Sequence, residues 1–347
     1  MYGANDAPRS RVYVASDNAG WSLDEDALEL KNTLARLGLR VVGRPAEFAD
    51  AVFHMNKGRG IRNLWLGEKL IHRKAGLSYY HGMPGSSEKF NTMFARLKRA
   101  KPLIDGVRVS TIAMENLMLN EGFESKVQRI PIGICISDFP FANDDLKGSA
   151  REWMGIPLDS VVVGSFQKDG GGWGDGVEPK LIKGPDIFVE TVALLARKIP
   201  ELFVLLAGPS RGYVSSRLEA YGVRHLNLGF VESSQVPLLY QAIDAYVISS
   251  REEGGPKAFL ESFATGVPLI STPVGQVVDL ADGYSAWIAS SFEPSEIAEL
   301  VFEALNSPDQ ESKTKRARIL AQSLSHESLD PLWRGFFFKH LGVGSLY

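Results

Sequence analysis

The stretch AYVISSREEGGPKAFLESFATGVPLIST, residues 245–272, decides the fold. AYVISS (245–250) and PLIST (268–272) are short apolar runs rich in β-branched residues, and 257–265 between them has helical periodicity. A strand, a helix and a second strand in so few residues form a βαβ unit with parallel strands. The loop at 251–255 then lies at the carboxyl end of its strand, where open α/β sheets bind ligands. Pro256 suits the first helical position and Gly255 the cap before it. N–H groups of the first turn, residues 257–259, point out of the helix at an anion, and Gly254 and Gly255 leave the approach clear.

The same alternation extends in both directions. Upstream, VVVGSF (161–166), LFVLLAG (202–208) and LNLGFV (226–231) read as strands, with helices near 185–198, 214–221 and 235–242; AWIAS (286–290) follows downstream. Six strands with intervening helices make a doubly wound unit. The first half repeats the rhythm with RVYVAS (11–16), RVV (40–42), AVFHM (51–55), LSYYHG (77–82), VRVST (107–111) and VQRIPIG (127–133). A helix near 24–37 carries Leu28, Leu30, Leu34 and Leu37 as its apolar stripe. The segment 139–157 reads as loop and holds the linker. The expected domains are 1–145 and 146–320, two Rossmann-like doubly wound units facing one cleft. A tail, 321–347, carries Leu332, Trp333, Phe336, Phe337 and Phe338, and its simplest docking place is the first domain.

Composition narrows the function. The 347 residues are 44% apolar and 23% charged with a net charge of −3, which leaves no overall footprint for nucleic acid. The single cysteine, Cys135, excludes an internal disulfide and a zinc pattern. No run of 18 apolar residues occurs, and MYGANDAPRSRVYVAS lacks the apolar core of a secretion signal, so a cytoplasmic location is expected.

The acids around the glycine turn refine the ligand. Helical Cβ bonds tilt toward the N-terminus, so Glu261 reaches back toward the helix mouth. A carboxylate there accepts two hydroxyl hydrogen bonds, as a ribose offers, and Glu253 on the other rim can hold hydroxyls of a second sugar. The spacing suits a ligand built as sugar, phosphates and ribose.

EEGGPKAFLESFATGVPLISTPVG resembles the E-x7-E signature of the group 1 family of retaining glycosyltransferases with the two-domain GT-B fold. That resemblance implies a metal-independent enzyme, without cofactor, that moves a sugar from a nucleotide diphosphate sugar to an acceptor hydroxyl. It implies that Glu253 contacts the donor sugar, Glu261 the ribose, and Lys183, in LIKGPD, the diphosphate. Gly254, Gly255, Pro256 and Lys257 fall at the donor phosphates. Where the family often has Gly-Arg, this chain has Gly164-Ser165 followed by the glycine-rich QKDGGGWGDGVEPK, which leaves Lys168 as the candidate replacement. DNAGW is similar to the family's diphosphate loop and supplies Gly20, and YYHG is similar to the site of a histidine near the transferred sugar, His81. IPIGICISDF departs from the family's Ile-Pro-Asn-Gly-Val-Asp at Ile132 and Cys135. The base of the donor would be met by loops near 208–212 and 229–233.

Each residue also has an ordinary role: a solvated lysine at 168, 183 or 257, a structural histidine at 81, a turn glycine at 20. Acids at 24–26 are expected in a helix's first turn from the dipole alone and are not assigned to a metal. KGRGIRNLWLGEKLIHRK (57–74) is six Lys/Arg against one Glu, interleaved with Ile61, Leu64, Trp65 and Leu66. A solvated helix is its plain interpretation, and weak peripheral membrane contact or an anionic-acceptor surface its sharper one. Rival functions are a nucleotide-sugar epimerase on the same fold and a non-catalytic sugar or nucleotide binder. A dehydrogenase is disfavoured because no G-x-G-x-x-G follows the first strand of either half.

Overall fold

A computed structural model describes residues 10–17, 22–44, 47–172 and 174–345. The chain divides into two units, Met1–Ile132 with His326–Tyr347, and Gly133–Ser325. The first holds β1 (Arg11–Ala15), α1 (Ser22–Arg36), β2 (Arg40–Val42), β3 (Ala49–His54), α2 (Lys57–Trp65), β4 (His72–Tyr79), α3 (Glu88–Ala100), β5 (Gly106–Val109), α4 (Ile112–Asn120) and β6 (Val127–Arg129). Its sheet has the order β2-β1-β3-β4-β5-β6, all parallel, and strand order reverses between β1 and β3.

The second unit holds α5 (Asp144–Met154), β7 (Val161–Phe166), α6 (Pro185–Ala196), β8 (Leu202–Ala207), α7 (Gly212–Ala220), β9 (His225–Asn227), α8 (Val236–Ala242) and β10 (Ala245–Ile248). It continues with α9 (Lys257–Thr265), β11 (Leu269–Ser271), α10 (Gly275–Leu280), β12 (Trp287–Ile288), α11 (Pro294–Asn306) and α12 (Gln310–Ser323). The order β12-β11-β10-β7-β8-β9, again all parallel, reverses between β7 and β10. Both faces of this sheet are covered by helices, and its strands are accordingly continuous buried runs such as Val162, Val163, Val204, Leu205 and Leu206.

The closing helix, α13 (His326–Leu341), belongs to the first unit. Trp333, Phe336 and Phe337 surround the Phe53 ring with centroids 5.6, 5.6 and 5.8 Å away. Two strand glycines admit it: a Cβ at Gly106 would lie 2.8 Å from Phe336, and one at Gly76 would lie 3.3 Å from Leu341. Leu332 and Phe338, expected to dock with the others, are exposed on the outer side of the helix.

Three further expectations change. In α1 the buried stripe is Ala27, Leu30 and Leu34, while Leu28 is 57% exposed, because a residue two before Leu30 falls on the opposite side of a 3.6-residue turn. The loop expected over 139–157 contains α5, capped by Asn143 Oδ1 accepting from the Leu146 N–H at 2.9 Å and closed by left-handed Gly155. The division falls at Ile132/Gly133 rather than at 145/146, since the intervening segment is fastened to the second unit. Ala142 N–H donates to Thr265 O at 2.8 Å, Gln241 Nε2 donates to Pro140 O at 2.8 Å, and Phe139 packs edge-on against Tyr240.

Candidate functional site

The loop that follows β10 is built on buried hydroxyls. Ser249 and Ser250 have no exposed surface, and Thr272 Oγ1 donates to Ser250 O at 2.6 Å. The turn before α6, residues 180–184, lies directly on this loop: the N–H groups of Arg251 and Glu252 both donate to Ile182 O, at 2.8 and 3.2 Å. Gly184 makes the approach achievable, with φ of 61° and its Cα so near the neighbouring chain that a Cβ would lie 1.8 Å from Ser249 O. Arg251 locks the outside through a fork onto Asp186, at 2.8 and 2.6 Å. Its hydrogen bonds hold the Asp186 carboxyl below the ordinary carboxylate range.

Two of the expected functional side chains meet at this junction. Lys183 Nζ stands 2.5 Å from Glu253 Oε1, and Ser250 Oγ donates to the same oxygen at 2.9 Å. The pair is 23% and 12% exposed, so it is shielded yet reachable. Both sit in loops that leave the carboxyl ends of the sheet beside its β7/β10 reversal, the place where doubly wound sheets bind ligands. Gly275 closes the far side, since a Cβ there would lie 2.9 Å from Glu253 O.

Helix α9 begins at Lys257, with Pro256 as its cap at φ −66° and ψ 123°. Pro256 is therefore one position earlier than expected: its extended ψ keeps it out of the first turn. Gly254 is buried, while Gly255, Pro256 and Lys257 are half-buried. Glu261 Oε2 accepts from Tyr240 Oη at 2.9 Å, and that hydroxyl also lies 3.5 Å from Ala258 O in the first turn of α9. The carboxylate thus reaches back toward the helix mouth. Tyr240 has no exposed surface and packs against Phe166 and Tyr246. Burial, with the Glu261 charge adding, holds its hydroxyl well above the ordinary tyrosine value, so it stays a donor. Sequence reasoning missed Tyr240, which reads there only as one more apolar position of α8.

Lys168 is half-buried just past the end of β7. The glycine-rich excursion after it folds back as a short antiparallel turn, with Gly171 N–H donating to Glu178 O and Lys180 N–H to Asp169 O. It caps a helix: Asp175 O and Gly176 O accept the N–H groups of Gly212 and Tyr213 at the start of α7, at 2.7 and 2.9 Å. A Cβ at Gly170 or at Gly176 would lie 2.2 Å from Ser210 O, which is why the excursion is glycine. Ser210 itself has φ of 60°. Beneath it Arg211 is sealed from solvent, donates to Ser165 O, Gln167 O and Ala207 O, and stands 3.1 Å from the equally buried Asp169. Burial pushes the Asp169 carboxyl up, with Arg211 opposing. This pair, also missed from sequence, ties the loop after β7 to the loop after β8. Gly208 N–H donates to Gly229 O at 2.7 Å and so links the two loops expected to meet a base.

His81 lies in the first unit, after β4, with its ring edge-on to Phe90 at 5.4 Å. Lys57 Nζ bonds to His81 O and lies 3.9 Å from the Tyr79 ring centre, which fixes this loop to the start of α2. Gly20 and most of the DNAGW motif lie outside the described residues. Among the described residues no three His, Cys, Asp or Glu side chains gather to hold a metal, and no helix is long and apolar enough to cross a membrane.

Residues 178–320, within the second unit, match the model of the family described as glycosyl transferases group 1. The D-inositol 3-phosphate glycosyltransferase of Corynebacterium urealyticum is 25% identical over 207 residues, 55% of this chain and 46% of that protein. The lipopolysaccharide core biosynthesis mannosyltransferase of Rhizobium meliloti is 32% identical over 146 residues, 40% of this chain and 39% of its own. The chain spans less than half the length of either relative. HepE of Anabaena, crystallised with UDP and glucose, superposes with a TM-score of 0.75 at 14% identity, covering 94% of this chain and 98% of that one. The likeness is one of fold, and the fold is GT-B, with two Rossmann-like units.

Proposed function

We propose that the protein is a retaining, metal-independent glycosyltransferase that moves a sugar from a nucleotide diphosphate sugar to an acceptor hydroxyl. The observation that carries this proposal is the Lys183–Glu253 pair at the strand-order reversal of the second sheet. Breaking the sugar–phosphate bond leaves negative charge on the departing diphosphate. The Lys183 ammonium and the N-terminus of α9 stabilise it as it develops, which is electrostatic catalysis by groups already in place. Glu253 accepts hydrogen bonds from the sugar hydroxyls, and Glu261, steadied by Tyr240, accepts those of the ribose. The bond from C1 to the phosphate oxygen breaks, the bond from C1 to the acceptor oxygen forms on the same face, and the acceptor proton passes to the leaving phosphate. His81 orients the sugar. The relatives named as glycosyltransferases, and the complex of HepE with UDP and glucose, support this assignment.

Thermal shift with UDP, GDP and ADP tests the binding step. A ligand at a hundredfold excess over Kd adds about 2.7 kcal/mol to stability, and one of the three is expected to shift melting clearly more than the others. The matching sugar nucleotide should then release its nucleoside diphosphate in excess EDTA as fast as without it. Protein indifferent to all three nucleotides, or release that stops with EDTA and returns with magnesium, would remove the proposal.

A further inference from the structure

The basic and apolar segment 57–74 is not one amphipathic helix. It comprises α2, a turn of 3₁₀ helix at Glu68–Leu70 and the start of β4. Lys57 turns inward onto Tyr79, and Ile61 and Leu64 are buried. Arg59 faces the carboxyl end of β1 through Asp17 and Ser16 O, and the exposed apolar side chains of the segment are concentrated at the other end, the edge of the first sheet where its strands begin. Leu70 is 92% exposed, Leu66 79% and Trp65 53%, with Ile71 beside them. Phe48, also exposed, precedes β3 as Ile71 precedes β4, and the register pairs the next residues, Ala49 and His72. Single exposed leucines are ordinary, but five large apolar side chains on one sheet edge are not.

Basic side chains gather at that edge, among acids that include Asp50, whose Oδ2 accepts from the Arg11 N–H at 2.8 Å. The guanidinium groups of Arg11 and Arg73 cover the Phe48 ring at 5.0 and 5.5 Å. Asp105, in front of β5, is shared by Lys69 and Lys74 at 2.8 and 3.0 Å. Lys126, in front of β6, donates to Lys101 O and Ile104 O at 2.8 and 2.6 Å. Burial and the like charges of Lys69, Lys101 and Lys74 lower its pKa against the pull of Asp105. Lys69 and Lys74 thus share the half-buried Asp105, in a chain whose net charge is −3. Tryptophan and leucine beside arginine and lysine suit a headgroup layer.

We propose that this strand-start edge of the first unit docks on a bilayer surface rich in anionic lipid, with Leu66, Leu70 and Trp65 entering the headgroup region and the arginines and lysines meeting lipid phosphates. The edge lies opposite the carboxyl ends of the same strands, so docking leaves the loop that carries His81 uncovered. The inference does not depend on the proposed reaction, because its test reads no activity.

The full chain is incubated with vesicles of phosphatidylcholine alone and of phosphatidylcholine with phosphatidylglycerol, and the bound fraction is measured by co-sedimentation. Binding is expected to the anionic vesicles alone and to weaken with added salt. The Leu66→Ser/Leu70→Ser double variant should lose about tenfold in partition at an unchanged melting temperature, since both side chains already face water. Arg73→Glu should weaken binding by a similar factor. Failure of the unaltered chain to bind anionic vesicles would overturn the proposal, as would equal binding by the double variant. A concentration-dependent dimer abolished by the same double substitution would make a second copy of the chain the occupant, and would overturn it too.

Discussion

Replacing Glu253 by glutamine is expected to tighten the hold on a nucleoside diphosphate while removing sugar transfer, the two effects pointing in opposite directions. In the free protein the Lys183 ammonium already faces the Glu253 carboxylate at 2.5 Å, so an incoming phosphate competes with that carboxylate for the cation. At 23% and 12% exposure the pair lies between a surface pair and a buried one. Its net strength is set at about 1 kcal/mol, far below the bare Coulomb energy at that distance, because desolvation and water screening cancel most of it. Removing the competitor should therefore improve diphosphate binding by roughly fivefold, the factor that about 1 kcal/mol represents. Glutamine keeps the size of the side chain and an oxygen for Ser250 Oγ, which donates to Glu253 at 2.9 Å. Lys183→Met should do the reverse: it removes a charge-assisted hydrogen bond worth about 1.5–3 kcal/mol and weakens binding roughly ten- to a hundredfold. Titration calorimetry of both variants with UDP, GDP and ADP at one ionic strength separates the effects. If Glu253→Gln weakens the nucleotide as Lys183→Met does, the two side chains do not compete, and the assignment of Lys183 to the diphosphate is refuted.

Tyr240→Phe removes the buried donor to Glu261 and should cost about 1–2 kcal/mol of stability in denaturant titration; in a transfer assay it should raise the donor KM more than it lowers kcat. Gly184→Ala puts a Cβ 1.8 Å from Ser249 O at a φ of 61°, and unfolding should show a loss of about 3 kcal/mol or more, the strain and the backbone clash adding. Asp186 has its folded pKa lowered by Arg251, so its stabilisation is fully present above the unfolded carboxylate pKa of about 4 and is lost as pH falls through the folded value. With both side chains about a third exposed, Asp186→Asn should cost no more than about 1 kcal/mol at pH 7, and thermal melts should show the gap from the unaltered chain closing as pH falls below about 4.

What could be seen in the sequence was what is decided locally. VVVGSF at 161–166 is β7 to the residue, because a central parallel strand buried on both faces must be a continuous apolar run. The helix at 257–265 was legible for the same local reason: glycine, glycine and proline stop the strand, and a left-handed glycine, Gly266, ends the turns. Asn143 and Gly155 are equally good caps, yet α5 was read as loop, since Pro140, Asn143, Asp144 and Asp145 in a short polar stretch look like a linker. Tyr240 and Arg211 were beyond reach for a different reason. Each is defined by a partner brought to it through packing, Glu261 in one case and Asp169 with three strand-end carbonyls in the other. In sequence a buried arginine between Ser210 and Gly212 is indistinguishable from a solvated one.

The site itself shows how topology converts one kind of information into the other. Lys183 and Glu253 are 70 residues apart, and no periodicity spans that distance. They meet because the chain, after β7, β8 and β9, returns to lay β10 on the free side of β7. The loops leaving two neighbouring parallel strands then diverge from a single crevice, the lysine entering with one and the glutamate with the other. Gly184 and Gly275 are the local conditions for that meeting, since a side chain at either would strike the Ser249 or the Glu253 backbone. The strand runs alone predict a doubly wound sheet, but only the side on which β10 is added places a cation beside the carboxylate. A chain with the same strands in simple sequential order would keep both residues and lose the pair.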